Sequence, residues 1–287
     1  MRGQADAAQA PRATPGVEQV HFVDPELVPG DLVAPEQAAR FNPIYAALAR
    51  APGSAQQRRD LAQLRLIRPT RRFVLVDIAG ERLWMIEDGR IAGTMKVVTG
   101  KAGMETPQMA ALIRHAVLDP YWNLPPDLVR DRVVNHVLLD GPAWLRHAGL
   151  RPVSNYEADG QALDPEAVDW IAVAQGETEV GLRQDPGPRN TMGAVKFMFP
   201  NQLGIYLHDT PERRLFRAAD RRFSSGCVRL ERAAELYRWL FDLALPPRGS
   251  GKPERRIALP EPVPVYILDL PSLERDVAWL TTGRTEA

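Results

Sequence analysis

Three short strand-like stretches lie close together and limit the fold more than any other feature of the sequence. They cover residues 73–78, 83–86 and 91–99, and Asp88-Gly89 separates the last two. An Asp-Gly pair favours a tight hairpin turn, because glycine adopts a positive φ at little cost. Successive hairpins form an antiparallel meander. The sequence therefore predicts a β core of the α+β class rather than a parallel α/β sheet.

Further segments extend this core and interrupt it. Strand patterns recur at 109–118, 195–199, 204–207 and 264–270, and the 26 prolines divide the chain into many short elements. Between them, residues 127–181 have the character of helices, which predicts an inserted helical subdomain. Another helix is predicted from Leu230 to Leu243, directly after the single cysteine.

The chain divides into four predicted regions. Residues 1–30 form a disordered segment, since the first twenty are rich in Ala, Pro, Gln and Gly. Residues 31–70 form an N-terminal helical segment, in which Pro35 and Pro43 open short helices and 55–68 is amphipathic. The β domain covers 71–270 with the insert at 127–181, and 271–287 is a C-terminal helix or tail.

Composition excludes several classes of function. The 36 basic and 36 acidic residues cancel, so no global field recruits nucleic acid or an anionic membrane. No apolar run approaches the roughly 18 residues that a membrane helix needs. The first twenty residues also lack the apolar core of a signal peptide. The chain is therefore either cytosolic or an exported protein whose signal is no longer present.

No metal site or cofactor is predicted. The five histidines are scattered, without HxxxH or CxxC spacing, and a tetrahedral metal site requires such clusters. Gly100-Lys101 closes a strand and does not form a phosphate-binding loop. Most of the basic clusters are balanced by acids and are interpreted as solvated faces.

The single cysteine is the main candidate for chemistry. Cys227 follows Ser224-Ser225-Gly226. A lone cysteine is commonly a small buried apolar residue. Ser-Ser-Gly, however, is typical of a tight turn rather than of a core. The positive end of the helix predicted from Leu230 would point at the thiol and lower its pKa.

His208 is the candidate base for this thiol. It ends the apolar run 204–207, where a side chain can reach the surface, although a structural role is the alternative. An ion pair with Cys227 would keep the thiol reactive well below the free-thiol pKa of about 8.5. The N–H groups of Gly226 and Cys227 would stabilise an oxyanion. Arg229 is a candidate for carboxylate recognition.

Around these residues the sequence resembles the YkuD-domain L,D-transpeptidases of bacterial cell-wall synthesis, and their YcbB-type subgroup in particular. The family signature is a His, a spacer, then Ser/Thr-His-Gly-Cys, a hydrophobic residue and Asn or Arg. Here His208 and fifteen residues (209–223) precede the sequence SSGCVR at 224–229. The likeness covers roughly residues 57–270, in the blocks RFVLVDIAGERLWMIEDGR, Thr106-Pro107, DPYWNLPP, LRQDPGPRNTMGAVKFMFPN, IYLHDTP and PVPVYILDL.

This resemblance implies a mixed, sandwich-like β core with a catalytic cleft beneath the helical insert. It implies a Cys227 thiolate that attacks the amide after the L-centre of the third residue of a peptidoglycan stem. His208 would be the base and the Asp209 backbone carbonyl would orient it, with Gly226 also in the catalytic turn. The thioester would pass to the side-chain amine of a second stem, giving a 3-3 cross-link. The residues implied to line the substrate pocket are Tyr206, Ser224, Ser225 and Arg229.

The resemblance also implies partners and a location. The partners are peptidoglycan stem peptides, covalent capture of carbapenems is expected, and the compartment is the periplasm. The sequence departs from the family at Ser225, where the signature has histidine. That histidine is not the usual base, but its loss changes the wall beside the oxyanion turn. A 1-3 link, an L,D-carboxypeptidase or amidase activity, and an inactive peptidoglycan-binding module therefore stay open as alternatives.

Overall fold

The computed structural model describes residues 19–50, 53–157 and 160–273. The strands are β1 (His21–Phe22), β2 (Arg72–Asp77), β3 (Arg82–Glu87), β4 (Arg90–Gly100), β5 (Met109–Leu118), β6 (Trp122–Leu124), β7 (Leu150–Val153), β8 (Gly181–Gln184), β9 (Val195–Met198), β10 (Leu207–His208), β11 (Arg222–Ser224), β12 (Val228–Leu230) and β13 (Arg255–Leu268). The α-helices are α1 (Pro35–Phe41), α2 (Pro43–Leu48), α3 (Ala55–Leu64), α4 (Pro126–Arg132), α5 (Val134–Asp140), α6 (Ala143–Ala148), α7 (Trp170–Gln175) and α8 (Ala233–Phe241). Within these ranges no helix has both the length and the apolar character needed to cross a bilayer.

The predicted meander is present as β2, β3 and β4. Phe73 pairs with Ile86, and Leu83 pairs with Met95, in two antiparallel ladders. At the turn between β3 and β4, Asp88 and Gly89 have φ values of 49° and 72°. Two successive positive φ angles give the backbone twist that joins adjacent antiparallel strands. The α+β class predicted from this pattern is confirmed.

The large sheet is mixed and closes on itself. The long strand β13 runs parallel to β2 and antiparallel to β5. At the other end of the path, β9 pairs antiparallel with both β10 and β5. The order β5-β13-β2-β3-β4-β12-β10-β9 therefore returns to β5. Closure leaves few free strand edges around the segment that carries His208.

Both faces of this sheet are buried, which explains why the four central residues of β2, 73–76, are all apolar. Val74 and Val76 face a cluster that includes α8, whereas Phe73 and Leu75 face the N-terminal helices. All four side chains are fully buried. Full burial of one such side chain contributes about 1.5–3 kcal/mol. The sheet is thus anchored to a well-packed core on both of its faces.

The prediction of disorder up to residue 30 is wrong for the part that the structure describes. β1 pairs in parallel with β5, and Val20 and Leu27 are buried. The Asp24 carboxylate accepts a hydrogen bond from the Leu112 N–H at 2.7 Å. A few apolar residues at the end of a polar segment therefore suffice to fix it to the sheet. Residues 1–18 and most of the predicted C-terminal helix, 274–287, lie outside the described residues.

The segment predicted as a helical insert is only partly helical. It holds α4 to α7, but it also contains β7, and β8 begins at its last residue; these two strands form an antiparallel sheet with β6. Little in the sequence indicates β7, because that strand has four residues, includes Pro152 and follows a helix capped by Gly149. The insert has its own core, in which Leu145 and Leu182 are fully buried. It is therefore a packed unit on the large sheet rather than a loop.

Candidate active site

Two short parallel strands bring the predicted base and nucleophile together. Leu207 of β10 pairs with Val228 of β12, and His208 pairs with Arg229. Cys227 immediately precedes β12, so it lies at the same end of this strand pair as the residues just before His208. Both Cys227 and His208 line one cleft of about 440 Å³. The pairing of two strands thus joins residues that the sequence separates by a long spacer.

The imidazole of His208 is fixed in one tautomer. Its Nδ1 lies 2.5 Å from the backbone carbonyl oxygen of Asp209. A carbonyl can only accept a hydrogen bond, so Nδ1 carries the proton and Nε2 keeps a free lone pair. Burial and, to a lesser extent, the charges of Arg229 and Lys196 lower the pKa of His208 to about 3, although the hydrogen bond to the Asp209 carbonyl raises it. The resting side chain is therefore a neutral imidazole with Nε2 able to accept a proton.

The thiol of Cys227 is neutral at rest, contrary to the sequence-based expectation. Burial raises its pKa to about 11, although the backbone N–H and the phenol of Tyr206 and the charge of Arg229 favour the thiolate. The predicted helix dipole does not reach the thiol, because β12 occupies Val228–Leu230 and α8 begins only at Ala233. A neutral thiol, whose Sγ donates to the Gly204 carbonyl at 3.4 Å, and a neutral imidazole in the same cleft replace the predicted ion pair.

The turn before Cys227 is held by side-chain hydrogen bonds at two points. Gly226 has a φ of 106°, a region that strongly favours glycine. The Ser224 hydroxyl donates to the Cys227 carbonyl at 2.6 Å and accepts from the Gly226 N–H at 3.1 Å. The Gly226 N–H, predicted as an oxyanion donor, is therefore already engaged. Of the two predicted donors, Cys227 N–H is the one left for that role.

Thr106 fixes the orientation of the same peptide from the far side. Its hydroxyl donates to the Gly226 carbonyl at 2.8 Å and accepts from the Gly100 N–H at 2.9 Å. In a trans peptide the N–H of the next residue points opposite to the carbonyl. The Cys227 N–H is thus directed away from Thr106. No chemical pattern in the sequence singles out Thr106, which lies 120 residues from Gly226 in the chain.

The structure places the predicted pocket residues around the same cleft. Tyr206, Ser224, Ser225 and Arg229 all line it. The Tyr206 ring meets the His208 ring edge-on, with centroids 5.8 Å apart. The Ser225 hydroxyl is buried and has no hydrogen-bond partner among the residues that the structure describes. The wall where the family signature has histidine is therefore formed by a small, unpaired hydroxyl.

Asp209 contributes to the site through its backbone, while its carboxylate lies away from the cleft. The carboxylate is buried and contacts Arg213 at 2.7 Å and Arg248 at 3.1 Å. It also accepts the Ala194 N–H at 2.9 Å. These three bonds hold the main chain whose carbonyl meets the His208 ring.

The insert closes one side of the cleft and adds residues that the sequence analysis did not identify. Asp127, Leu128 and Arg132 of α4 line the cleft together with the core residues. Glu212, from the spacer after His208, binds Arg229 through a contact of 2.6 Å between Oε2 and Nη1. No local pattern marks Arg132 or Glu212, because each matters only through a partner far away in sequence.

Residues 71–262 match the YkuD family, the L,D-transpeptidase catalytic domain. A protein of Haemophilus influenzae that carries the provisional name of an L,D-transpeptidase is 30% identical over 174 residues, which are 61% of this chain and 34% of that protein. The chain thus spans about a third of the length of this curated relative.

Two solved structures are similar to the chain only distantly. The catalytic domain of the Enterococcus faecium L,D-transpeptidase acylated by ertapenem is 14% identical, with 70% of this chain and 100% of that chain covered and a TM-score of 0.34. L,D-transpeptidase 3 from Mycobacterium tuberculosis, with a faropenem-derived adduct, is 12% identical, with 69% and 60% covered and a TM-score of 0.34. The assignment depends instead on the family match, which covers more than half of the chain. The chain belongs to the YkuD family of L,D-transpeptidase catalytic domains.

Proposed function

We propose that this protein cross-links peptidoglycan stem peptides through a thioester on Cys227. One observation supports this most directly. His208 and Cys227 line one cleft, and the bond of 2.5 Å from Nδ1 to the Asp209 carbonyl leaves Nε2 as a free base. A thiol and an oriented imidazole are the parts that acyl transfer to sulfur requires. The finer features, a YcbB-type relationship and a periplasmic location, belong to this proposal.

The first half-reaction starts from the neutral pair. His208 Nε2 takes the thiol proton as sulfur attacks the stem amide carbonyl, so charge develops only during the step. The Tyr206 phenol and backbone N–H stabilise the sulfur as it becomes anionic. The Cys227 N–H donates to the oxyanion. The tetrahedral intermediate then collapses, and the imidazolium gives its proton to the leaving amine of the terminal residue.

The second half-reaction reverses these roles. The amine of a second stem attacks the thioester, and His208 takes the proton that the amine loses. Cys227 then leaves as a thiolate and recovers a proton from the imidazolium. The link expected from the family is of the 3-3 type. Ser225 provides more room beside the turn than histidine would, which makes a 1-3 link the main variant of the proposal.

Hydrolysis is the second candidate, and the exposure of the nucleophile is the observation that favours it. Cys227 is only partly buried, so water can approach a thioester formed there. A water molecule in place of the amine would give L,D-carboxypeptidase or amidase activity. An inactive binding module is less consistent with a base held in a single tautomer in the same cleft as the thiol.

The test is incubation of the protein with purified muropeptides, followed by mass spectrometry. We expect cross-linked dimers from the wild-type protein and none from Cys227→Ala, which should also fail to gain the mass of a carbapenem. Fragmentation of the dimers would identify a 3-3 or a 1-3 link. Shortened monomers without dimers would establish the hydrolase. Dimers from the alanine variant would refute the thioester mechanism.

A further inference from the structure

A small side pocket of about 240 Å³ adjoins the catalytic cleft. Arg132 of the insert and Arg229 of β12 line both cavities, and Trp122 and Trp144 contribute to the walls of the side pocket. We propose that the two guanidinium groups form a subsite for the carboxylate of an amino acid unit. The amine of that unit either leaves when the thioester forms or attacks the thioester in the second half-reaction. This subsite deepens the proposed function and rests on it.

The guanidinium group of Arg229 has a hydrogen-bond donor that no described residue accepts. Its side chain is only 8% exposed, and one terminal nitrogen is bound to Glu212 at 2.6 Å. Its Nε finds no hydrogen-bond partner within the described ranges. A guanidinium has five N–H donors in a planar fork, and that geometry suits a carboxylate held by two parallel bonds. A buried donor without an acceptor is costly, so an arriving carboxylate oxygen would relieve that cost.

Arg132 brings a second cation to the same place. Its Nε is also buried without a hydrogen bond to any described residue. The nearest carboxylate is that of Asp131, 3.8 Å from Nε, and it is bonded at 3.1 Å to Lys101 instead. Burial and the nearby charge of Arg229 both lower the pKa of the Arg132 guanidinium. Two cations that face one pocket, with a partly exposed Glu212 as the shared acid, are suited to an additional anion.

The position of Arg229 indicates which carboxylate is bound. Arg229 pairs directly with His208 across the two strands. His208 is the group that gives a proton to the leaving amine and takes one from the attacking amine. The leaving terminal residue carries its carboxylate on the same carbon as that amine. A subsite beside His208 is therefore placed for the carboxylate of the amine-bearing residue rather than for the acyl part of the stem.

The same geometry applies to the acceptor. By microscopic reversibility, the attacking amine approaches along the path by which the leaving amine departed. An acceptor whose amine and carboxylate share one carbon would then place its carboxylate between Arg132 and Arg229. An otherwise identical acceptor with a carboxamide in place of the carboxylate would have no negative charge for the two guanidinium groups to bind. The subsite thus predicts a preference for α-amino carboxylates over their amides.

The test is a competition for one acyl-enzyme. A tetrapeptide stem is supplied as donor with equal amounts of ¹³C-labelled D-alanine and D-alaninamide, and mass spectrometry gives the ratio of acid to amide product. This ratio depends only on the second half-reaction, so slower acylation of a variant does not alter it. The variants are Arg132→Gln, Arg132→Lys and, as control, Arg130→Gln. Arg130 is an exposed residue of the same helix that lines neither cavity.

We expect the acid-to-amide ratio to fall at least tenfold in Arg132→Gln, to fall less in Arg132→Lys, and to stay unchanged in Arg130→Gln. Thermal melting of each variant checks that it is folded, and the lysine variant keeps the test valid if the glutamine variant is not. A ratio within twofold of the wild-type value in folded Arg132→Gln would overturn the subsite. If the wild-type protein forms neither product while Cys227 can still be alkylated, the proposed function fails and the subsite fails with it.

Discussion

The Thr106 hydroxyl donates a hydrogen bond of 2.8 Å to the carbonyl of Gly226 and so sets the direction of the Cys227 N–H. Thr106 is buried and lies outside the cleft that contains the thiol. It acts as a positioning residue, because it contacts the turn and not the substrate.

Thr106→Val should slow acylation of Cys227 roughly tenfold. Loss of a direct oxyanion donor costs about 100- to 1000-fold, and Thr106 only orients the peptide that carries the donor. The measurement is the rate of covalent carbapenem capture, followed by intact mass. Thr106→Ser retains the hydroxyl and should keep most of the rate. Equal rates for the valine and wild-type proteins would show that the turn does not need this bond.

Alkylation of Cys227 by iodoacetamide should rise with pH and show no plateau near neutrality. The pKa of the thiol is about 11 and that of His208 about 3, so the thiolate fraction grows roughly tenfold per pH unit between pH 6 and 9. His208→Asn should have a nearly parallel profile. A plateau between pH 5 and 8 that disappears in His208→Asn would indicate an ion pair instead.

Burial of neutral His208 should make the fold sensitive to acid. Its folded-state pKa of about 3 lies below the ordinary value of 6.5, so the unfolded chain binds the extra proton between these pH values. Stability is therefore fully present above pH 6.5 and falls as the pH drops toward 3, by at most about 1.4 kcal/mol per pH unit. Urea unfolding at pH 7, 5 and 4 measures this loss. Between pH 7 and pH 4 the free energy of unfolding should fall less in His208→Asn than in the wild-type protein. The pKa of buried His115 is also lowered, by burial and then by Arg256 and Lys196. His115 is present in both proteins, so it adds the same dependence of stability on pH to each.

Ser225→Ala should leave carbapenem acylation within about twofold of wild type. The hydroxyl has no hydrogen-bond partner among the described residues, so its removal breaks no bond to them. Ser225→His would restore the family signature and narrow the wall of the cleft. We expect this variant to change the ratio of cross-link types or of dimers to shortened monomers, measured by mass spectrometry of the products. A large loss of acylation in Ser225→Ala would instead assign the hydroxyl a role in the first half-reaction.

Asp209→Ala separates the carboxylate of this residue from its carbonyl. The substitution removes the bonds to Arg213, Arg248 and the Ala194 N–H, whereas the carbonyl that meets His208 is part of the main chain. Because Arg213 and Arg248 are 53% and 30% exposed, water solvates the charges left behind, and the cost is about 1–3 kcal/mol, below that of breaking a fully buried pair. Urea denaturation should therefore reveal a loss of this order. Activity at low temperature should fall less than in His208→Ala, and the reverse order would assign the carboxylate itself a role in catalysis.

Local patterns predicted the parts of this molecule that depend on local physics. The meander follows from a period of two and an Asp-Gly turn, and the cysteine and histidine follow from residue type and position. The start of α8 was misplaced because the sequence Val228-Arg229-Leu230 continues an apolar helical spacing, yet β4 and β10 pair with it on both sides. Pairing of that kind is not visible in one segment. The roles of Thr106 and Arg132 were missed for the same reason.

His208 and Cys227 are held together by the pairing of β10 with β12, and the chain between them includes β11, which pairs with β4. The number of residues between His208 and Cys227 therefore does not set the distance between base and thiol. Exposed positions such as Ala219 and Asp220 should accept extra residues without disturbing either group. What holds the two groups together is a strand register, which a count of residues does not measure.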